Sequence, residues 1–175
     1  MNYAKIKHFD IANGEGVRIS LFVSGCQFHC KDCFNSEIWD YNYGNTYTQE
    51  TESELIHLIS DPNIDGLSIL GGDPLWQDTN GLQALINLVK KIHSMNKTVW
   101  IWSGFTWEQV FLNDTDCNDI QHFRKTLIEN CDVFIDGLFD INKRNLKLKW
   151  CGSSNQRIID VKKTIEQNQI VLYKL

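Results

Sequence analysis

The sequence lacks three features that mark other classes of protein. It contains no run of Lys and Arg of the kind that follows a phosphate backbone or an anionic membrane, and its formal net charge is −5. Its N-terminal stretch is polar and interrupted by glycines, unlike a secretory signal. No stretch approaches the roughly 18 apolar residues that cross a bilayer. We therefore expect a cytoplasmic protein that binds neither nucleic acid nor membrane.

Cysteine is scarce outside one short segment. The chain has six cysteines, and three of them fall within eight residues, in CQFHCKDC. Because a reducing cytoplasm keeps thiols free, we do not expect a disulfide framework. At 175 residues, of which 42% are hydrophobic, the chain can bury one core, and we expect a single domain over residues 1–175. The crowded thiols point to a metal within that domain.

Strand-like and helix-like segments alternate along the chain. Short apolar segments predict strands at 17–23, 66–70, 98–102, 131–136 and 170–173. Helical spacing predicts helices that begin with a capping box at 51–54 and that cover 81–94, 107–111, 120–129 and 160–167. The alternation predicts an α/β fold with a mostly parallel sheet. Because a complete eight-stranded barrel takes about 250 residues, we expect an open partial (βα) barrel of five or six units.

Residues suited to binding follow four of the predicted strands directly. They are the cysteine segment, Gly71-Gly72-Asp73, Ser103-Gly104 and Asp136-Gly137. In parallel sheets, active sites form at the edge where the strands end. We therefore expect these four loops to meet at one pocket.

The cysteine spacing is Cys26-x3-Cys30-x2-Cys33, which places three soft thiolates on one short loop. A [4Fe–4S] cluster has four irons, so three protein ligands leave one iron open to a small molecule, much as an open position marks catalytic zinc sites. The alternative is a structural zinc site in a noncatalytic interaction domain. The fourth ligand of that zinc would be His29, Cys117, Cys131 or Cys151.

These motifs resemble the radical S-adenosylmethionine superfamily, whose hallmark is this cysteine spacing after the first strand. More narrowly, the chain is similar to the family that activates the anaerobic ribonucleoside-triphosphate reductase. The resemblance extends over nearly the whole chain and rests on NYAKIKHFDIANGEGVRISLFVSGCQFHCKDCFN, LGGDPL, WIWSGF, IDGLF and CGSSNQRIID, in that order. The chain departs from the family at Leu138, where related sequences often have Lys, and at Cys151, where they often have Arg.

The resemblance implies that a [4Fe–4S] cluster on the three cysteines cleaves S-adenosylmethionine reductively. The resulting 5′-deoxyadenosyl radical would take a hydrogen atom from a glycine of the reductase and leave a glycyl radical. The electron would come from a donor such as a flavodoxin. Another glycyl-radical protein, or a small molecule, is the alternative substrate.

The resemblance also implies residues that hold the methionine part of S-adenosylmethionine. Gly71 and Gly72 allow their backbone to approach it closely, and Asp73 offers a carboxylate to its ammonium group. Ser103 is expected to bond its carboxylate. Considered alone, the segment GGDP is equally consistent with a simple turn, and a serine at a strand end commonly caps one.

The adenosine part is expected to meet a different set of residues. Phe34 would bring an aromatic face to the adenine, together with the backbone of Asp32 and Cys33. Asp136 would bond the ribose. The alternatives are that Phe34 is an ordinary packing residue and that Asp136 caps a turn or a helix.

Overall fold

A computed structural model describes residues 1–112 and 119–174. Within these residues the strands are β1 (Asn2–Asp10), β2 (Arg18–Val23), β3 (Asn45–Thr46), β4 (Gly66–Gly71), β5 (Thr98–Trp102), β6 (Val133–Asp136) and β7 (Arg157–Asp160). The helices are α1 (Gln49–Ile59), α2 (Thr79–Ser94), α3 (Trp107–Phe111), α4 (Asp119–Glu129) and α5 (Val161–Gln167). No described helix is both long and apolar enough to cross a membrane.

The seven described strands form one sheet in the order β3-β1-β2-β4-β5-β6-β7. Its four central strands, β2, β4, β5 and β6, run parallel, and the strands outside them pair antiparallel. The predicted α/β fold with a mostly parallel sheet is confirmed. Val23 pairs with Gly71, and Trp102 pairs with Ile135, so the central strands end at a common edge.

Several predicted boundaries were wrong. Helix α1 begins at Gln49 because Thr48, and not Thr51, is its N-cap residue; Thr51 is the third residue of a reciprocal capping box with Thr48. Strand β7 was not predicted, and the helix predicted over 160–167 begins at Val161. The predicted strand at 170–173 forms only an isolated bridge, between Leu172 and Ile159.

The core lies between the sheet and its helices. In β5 the side chains alternate, so that Val99 and Ile101 join a large core with the helices, while Trp100 packs on the other face. On that face Trp100 contacts Trp150 at 4.8 Å and Tyr173 at 5.1 Å between ring centroids. Helices thus cover one face of the sheet, and an aromatic cluster covers the other face at β5 and β6, which leaves the strand ends free to form a site.

Candidate functional site

The cysteine loop leaves the sheet at the end of β2. Its start is fixed by two backbone bonds, from Gly25 N–H to Ile38 O at 2.9 Å and from Cys26 N–H to Trp39 O at 3.0 Å. Further along the loop, His29 has φ of 48° and Asp32 has φ of 56°, a region that residues with side chains seldom adopt. Two such residues in one loop indicate a path set by its contacts rather than by local preference.

The three thiols border one small cavity, which we call the inner cavity. Its volume is about 120 Å³. All four predicted loops contribute to its wall, which includes Cys26, Cys30, Cys33, Gly71, Gly72, Asp73, Ser103, Gly104 and Gly137. The expectation that the loops meet at one pocket is confirmed.

Glycines at this edge let neighbouring loops touch through their backbones. A Cβ on Gly71, whose φ is +116°, would lie 2.6 Å from Val23 O, and a Cβ on Gly72 would lie 2.4 Å from Gly25 O. Two bonds hold the same contact, from Gly72 N–H to Val23 O and from Asp73 N–H to Gly25 O, both at 2.8 Å. The β4 loop therefore positions the start of the cysteine loop.

Asp73 connects the β4 loop to the β5 loop. Its carboxylate accepts bonds from the Ser103 hydroxyl at 2.9 Å, from Gly104 N–H at 2.7 Å and from Leu75 N–H at 2.8 Å. Burial raises the pKa of Asp73 to about 6, although these bonds act to lower it. Ser103 in turn accepts a bond from Phe105 N–H at 3.1 Å, as in the turn-capping alternative.

Asp136 lies outside the wall of the inner cavity. Its side chain accepts a 2.8 Å bond from Trp107 N–H at the start of α3 and pairs with Arg157 on β7. Arg157 also holds Glu108 through two bonds, at 2.8 and 2.9 Å. The structure therefore places Asp136 where it caps a helix and fixes the base of the Gly137 loop.

Phe34 and Asp32 lie toward solvent. The Phe34 side chain is 60% exposed and packs against Phe139, at 5.3 Å between ring centroids. Asp32 is exposed and is not part of the inner wall. Phe34 instead lines a second space of about 570 Å³, the outer cavity, which shares Cys33 and Gly71 with the inner one.

Several residues of the inner wall were not found from the sequence. Phe28 packs edge-to-face with Trp76 and Phe105 at one end, and Gln156 donates to Gly137 O at 2.9 Å at the other. Trp102 and Phe139 also border the cavity. Phe28 lies inside the cysteine motif and Gln156 inside GSSNQR, but aromatic and amide residues at such positions give no distinct signal without the fold.

The environment of the thiols fits a cationic inorganic group. Burial raises the pKa of Cys26 to about 12 and also raises the pKa of Cys30, so neither thiol ionises readily without a metal. Asn35, which lines the outer cavity, donates its backbone N–H to Cys33 Sγ at 3.4 Å. Hydrogen bonds to sulfur are among the means by which proteins tune iron–sulfur clusters.

The arrangement favours a cluster over a single zinc ion. Within residues 1–112 and 119–174, no three Cys, His, Asp or Glu side chains converge closely enough to hold one metal ion. A zinc site needs four ligands at about 2.0–2.3 Å from one ion, whereas a cluster distributes its ligands over several irons.

Two of the described candidates for a fourth zinc ligand, His29 and Cys131, have other contacts. His29 packs against the Trp39 ring at 4.6 Å between ring centroids, and Cys131 donates to Leu127 O inside the core. Cys151 borders the outer cavity, where burial raises its pKa to about 11. Cys117 lies outside the described residues.

Comparison with known proteins agrees with this site. A family model described as a 4Fe-4S single cluster domain matches residues 12–159. The fold and the cavity with three thiols, taken with this match, define a protein of the 4Fe-4S single-cluster class.

Proteins of similar sequence identify the family within this class. A protein from Vibrio cholerae is 36% identical over 162 residues, which cover 90% of this chain and 97% of that one. Proteins from Enterobacteria phage T4 and Escherichia coli K12 are 36% and 33% identical, over 90% and 89% of this chain and 93% and 96% of their own lengths. All three are named anaerobic ribonucleoside-triphosphate reductase-activating protein. The chain belongs to this family of reductase-activating proteins.

Proposed function

We propose that this chain activates an anaerobic ribonucleoside-triphosphate reductase by forming a glycyl radical on it. The chemistry supplied at the site is one-electron cleavage of S-adenosylmethionine into methionine and a 5′-deoxyadenosyl radical, which takes a hydrogen atom from a glycine Cα of the reductase. The observation that carries the proposal is the inner cavity, in which three thiols of one loop meet the glycine loops at the ends of parallel strands.

Cys26, Cys30 and Cys33 would hold a [4Fe–4S] cluster. Their loop starts from backbone fixed by the glycine contacts, so Cys26 is positioned at the end of β2 before any metal binds. The aromatic rings of Phe28 and Trp39 form part of the wall and limit the access of water to the thiols.

Gly71, Gly72 and Asp73 are proposed to face the methionine part of S-adenosylmethionine. Both glycines are only half-buried and line the inner cavity, so their backbone borders the space proposed for the methionine part. Asp73 already accepts bonds from Ser103 and Gly104, so we propose that it positions the two loops and uses its remaining acceptor capacity for the ammonium group.

The adenosine part is proposed to extend into the outer cavity. Phe34 offers an exposed aromatic face there, beside Cys33, and Asp32 adjoins them in the chain. The role of Asp136 as a ribose partner remains a prediction, and its bonds to Arg157 and Trp107 support a positioning role.

We also propose the finer points of architecture and context. Residues 1–175 form one domain, and the sheet curves around the site as an open partial (βα) barrel. The protein works in the cytoplasm, and a flavodoxin-like protein supplies the electron. The contribution of all four central loops to one cavity supports the curvature.

Anaerobic reconstitution with iron and sulfide tests the chemistry. We expect about four irons per chain, an electron paramagnetic resonance signal on reduction, formation of 5′-deoxyadenosine, and a glycyl radical when the reductase is added. Bound zinc with no iron-dependent 5′-deoxyadenosine would refute the radical chemistry. Formation of 5′-deoxyadenosine without a glycyl radical would refute only the choice of substrate.

A cysteine series tests the ligand set. We expect Cys26→Ser, Cys30→Ser and Cys33→Ser each to lose the cluster, because each removes a thiolate ligand. The matched variants Cys131→Ser and Cys151→Ser should retain iron content and absorbance close to the wild type. Loss of iron from Cys151→Ser alone among these controls would indicate four protein ligands and no open iron.

A further inference from the structure

One surface next to the site combines positive charge with exposed apolar side chains. It is the segment 141–150, INKRNLKLKW, which we call the basic strap. The strap contains four Lys or Arg residues and no Asp or Glu, in a chain whose formal net charge is −5. It follows the β6 loop, and its residues Asn145, Leu146, Leu148 and Trp150 form one wall of the outer cavity.

The basic strap has a defined position despite containing little regular structure. Asn145 N–H donates to Gly152 O at 3.3 Å, and Ser154 N–H donates to Lys143 O at 2.9 Å. At the end of the strap, Trp102 Nε1–H donates to Trp150 O at 2.8 Å and ties it to β5. The strap is therefore presented as a preformed surface, which lowers the entropy cost of binding a partner.

Most of its charges have no carboxylate partner among the residues that the structure describes. Lys143 pairs with Asp140 at 3.6 Å. Across residues 1–112 and 119–174, no carboxylate lies within ion-pair distance of Arg144, Lys147 or Lys149. Positive charges left unpaired beside a cavity attract an acidic partner and steer its approach.

Apolar groups accompany these charges. The Arg144 guanidinium lies 4.9 Å from the centroid of the Phe34 ring, and the Leu146 side chain is 82% exposed. Arg and aromatic residues are enriched in the centres of protein interfaces. Interleaved apolar and basic side chains match a polypeptide better than a uniform phosphate backbone.

The outer cavity adjoins the inner one. The two share Cys33, Gly71, Trp102, Phe139 and Gln156 in their walls. A polypeptide segment that approaches the adenosine part from the open side of the outer cavity therefore passes along the basic strap.

We propose that the basic strap docks the glycine-bearing segment of the reductase, by pairing Arg144, Lys147 and Lys149 with acidic side chains that flank an apolar stretch around the glycine. This inference rests on the proposed function and adds to it the surface and the chemistry of recognition. The occupant is a segment of the reductase, and the strap determines how tightly it binds.

The test measures binding and chemistry separately under anaerobic conditions. The double variant Lys147→Glu with Lys149→Glu is compared with Lys90→Glu with Lys174→Glu, which makes the same charge change at exposed residues outside the strap and both cavities. Binding of the labelled reductase to the reconstituted protein is measured at low and high salt. Formation of 5′-deoxyadenosine with a chemical reductant is measured without the reductase.

We expect the strap variant to raise the Kd for the reductase about tenfold at low salt, and the difference to shrink at high salt because screening weakens exposed charges. The control pair should change the Kd less than about twofold, and both variants should form 5′-deoxyadenosine like the wild type. Leu146→Ser, which keeps every charge, should weaken binding about threefold through lost apolar contact.

The possible negative results separate failure of the docking inference from failure of the proposed function. An unchanged Kd in the strap variant, or an equal rise in the control pair, would overturn the docking inference even if a glycyl radical forms. The expected Kd changes with no glycyl radical would support docking and refute the proposed function. A strap variant that loses affinity for a labelled DNA oligonucleotide, but not for the reductase, would assign the strap to nucleic acid and overturn the inference.

Discussion

Replacing Gly71 by Ala tests whether the close contact between the β2 and β4 loops builds the site. Gly71 ends β4 with φ of +116°, and its added Cβ would lie 2.6 Å from Val23 O and 2.8 Å from Val23 N. These atoms belong to the backbone of β2, which is paired with β4 at this level. Since backbone cannot rotate away as a side chain can, one of the two strand ends has to move.

Gly137 provides a matched control for the magnitude. It also has positive φ, +98°, but a Cβ there would have no neighbour closer than 3.9 Å. Alanine in this region of φ costs about 1–2 kcal/mol at either position. The overlap at Gly71 should add about 1–3 kcal/mol, as other overpacked positions do. We therefore expect Gly71→Ala to lower the free energy of unfolding by about 1–3 kcal/mol more than Gly137→Ala does.

Urea unfolding of the metal-free protein in reducing buffer, followed by tryptophan fluorescence and circular dichroism, gives both free energies. Gly71→Ala should also slow the formation of 5′-deoxyadenosine at least about tenfold after reconstitution, because a shift at Val23 carries the cysteine loop with it and misplacement by about 1 Å can cost about a hundredfold. Equal losses of stability in the two variants would refute the view that the loops are held in rigid contact. Unchanged activity in Gly71→Ala would show that this contact does not position the thiols.

Two further predictions concern carboxylates that are held by hydrogen bonds, those of Asp132 and Asp73. Burial acts to raise the pKa of Asp132, but hydrogen bonds from His93, Lys162 and backbone lower it to about 2, below its unfolded value of 3.8. Its stabilisation is therefore complete above about pH 5 and lost as the pH falls toward 2. In urea titrations between about pH 3 and 7, Asp132→Asn should reduce the acid loss of unfolding free energy by about 1 kcal/mol, because the folded carboxylate is still largely ionised at pH 3. Ser103→Ala removes a hydroxyl donor from the buried Asp73 carboxylate and should cost about 1–2 kcal/mol in the same assay at neutral pH, whereas Ser103→Thr, which keeps the hydroxyl, should recover part of that loss.

The parallel centre of the fold was predictable from the sequence, and its edges were not. Strands β2, β4, β5 and β6 are short and are buried along most of their length, so their composition is mostly apolar and distinctive. Strand β1 has exposed polar residues such as Lys5 and Lys7. Strand β7 ends directly before α5, and the helical pattern predicted from residue 160 hid the strand. Neither strand has a continuous apolar segment, and each joins the sheet through antiparallel backbone pairing, β1 with β2 and β7 with β6.

The residues of the site were likewise only partly predictable from the sequence. The thiols and glycines were predictable because their chemistry restricts the residue type, and the order of strands then required them to meet. The pairing of Asp136 with Arg157 was not predictable, since it depends on β7 returning antiparallel beside β6. A carboxylate at the end of a strand has the same sequence signature whether it faces a cavity or caps a helix.

The open side of the site bears on the nature of the substrate. Among the strands that the structure describes, antiparallel ones flank the four parallel ones, and these flanking strands add no parallel strand–helix unit whose loop would close the site. On this side Phe34 and Leu146 are 60% and 82% exposed. Sites for small molecules usually enclose most of the surface of their ligand, which needs walls on every side. A protein substrate supplies the missing wall itself when it docks. The open side therefore supports a macromolecular substrate over a small one, and it places the basic strap where such a substrate would first make contact.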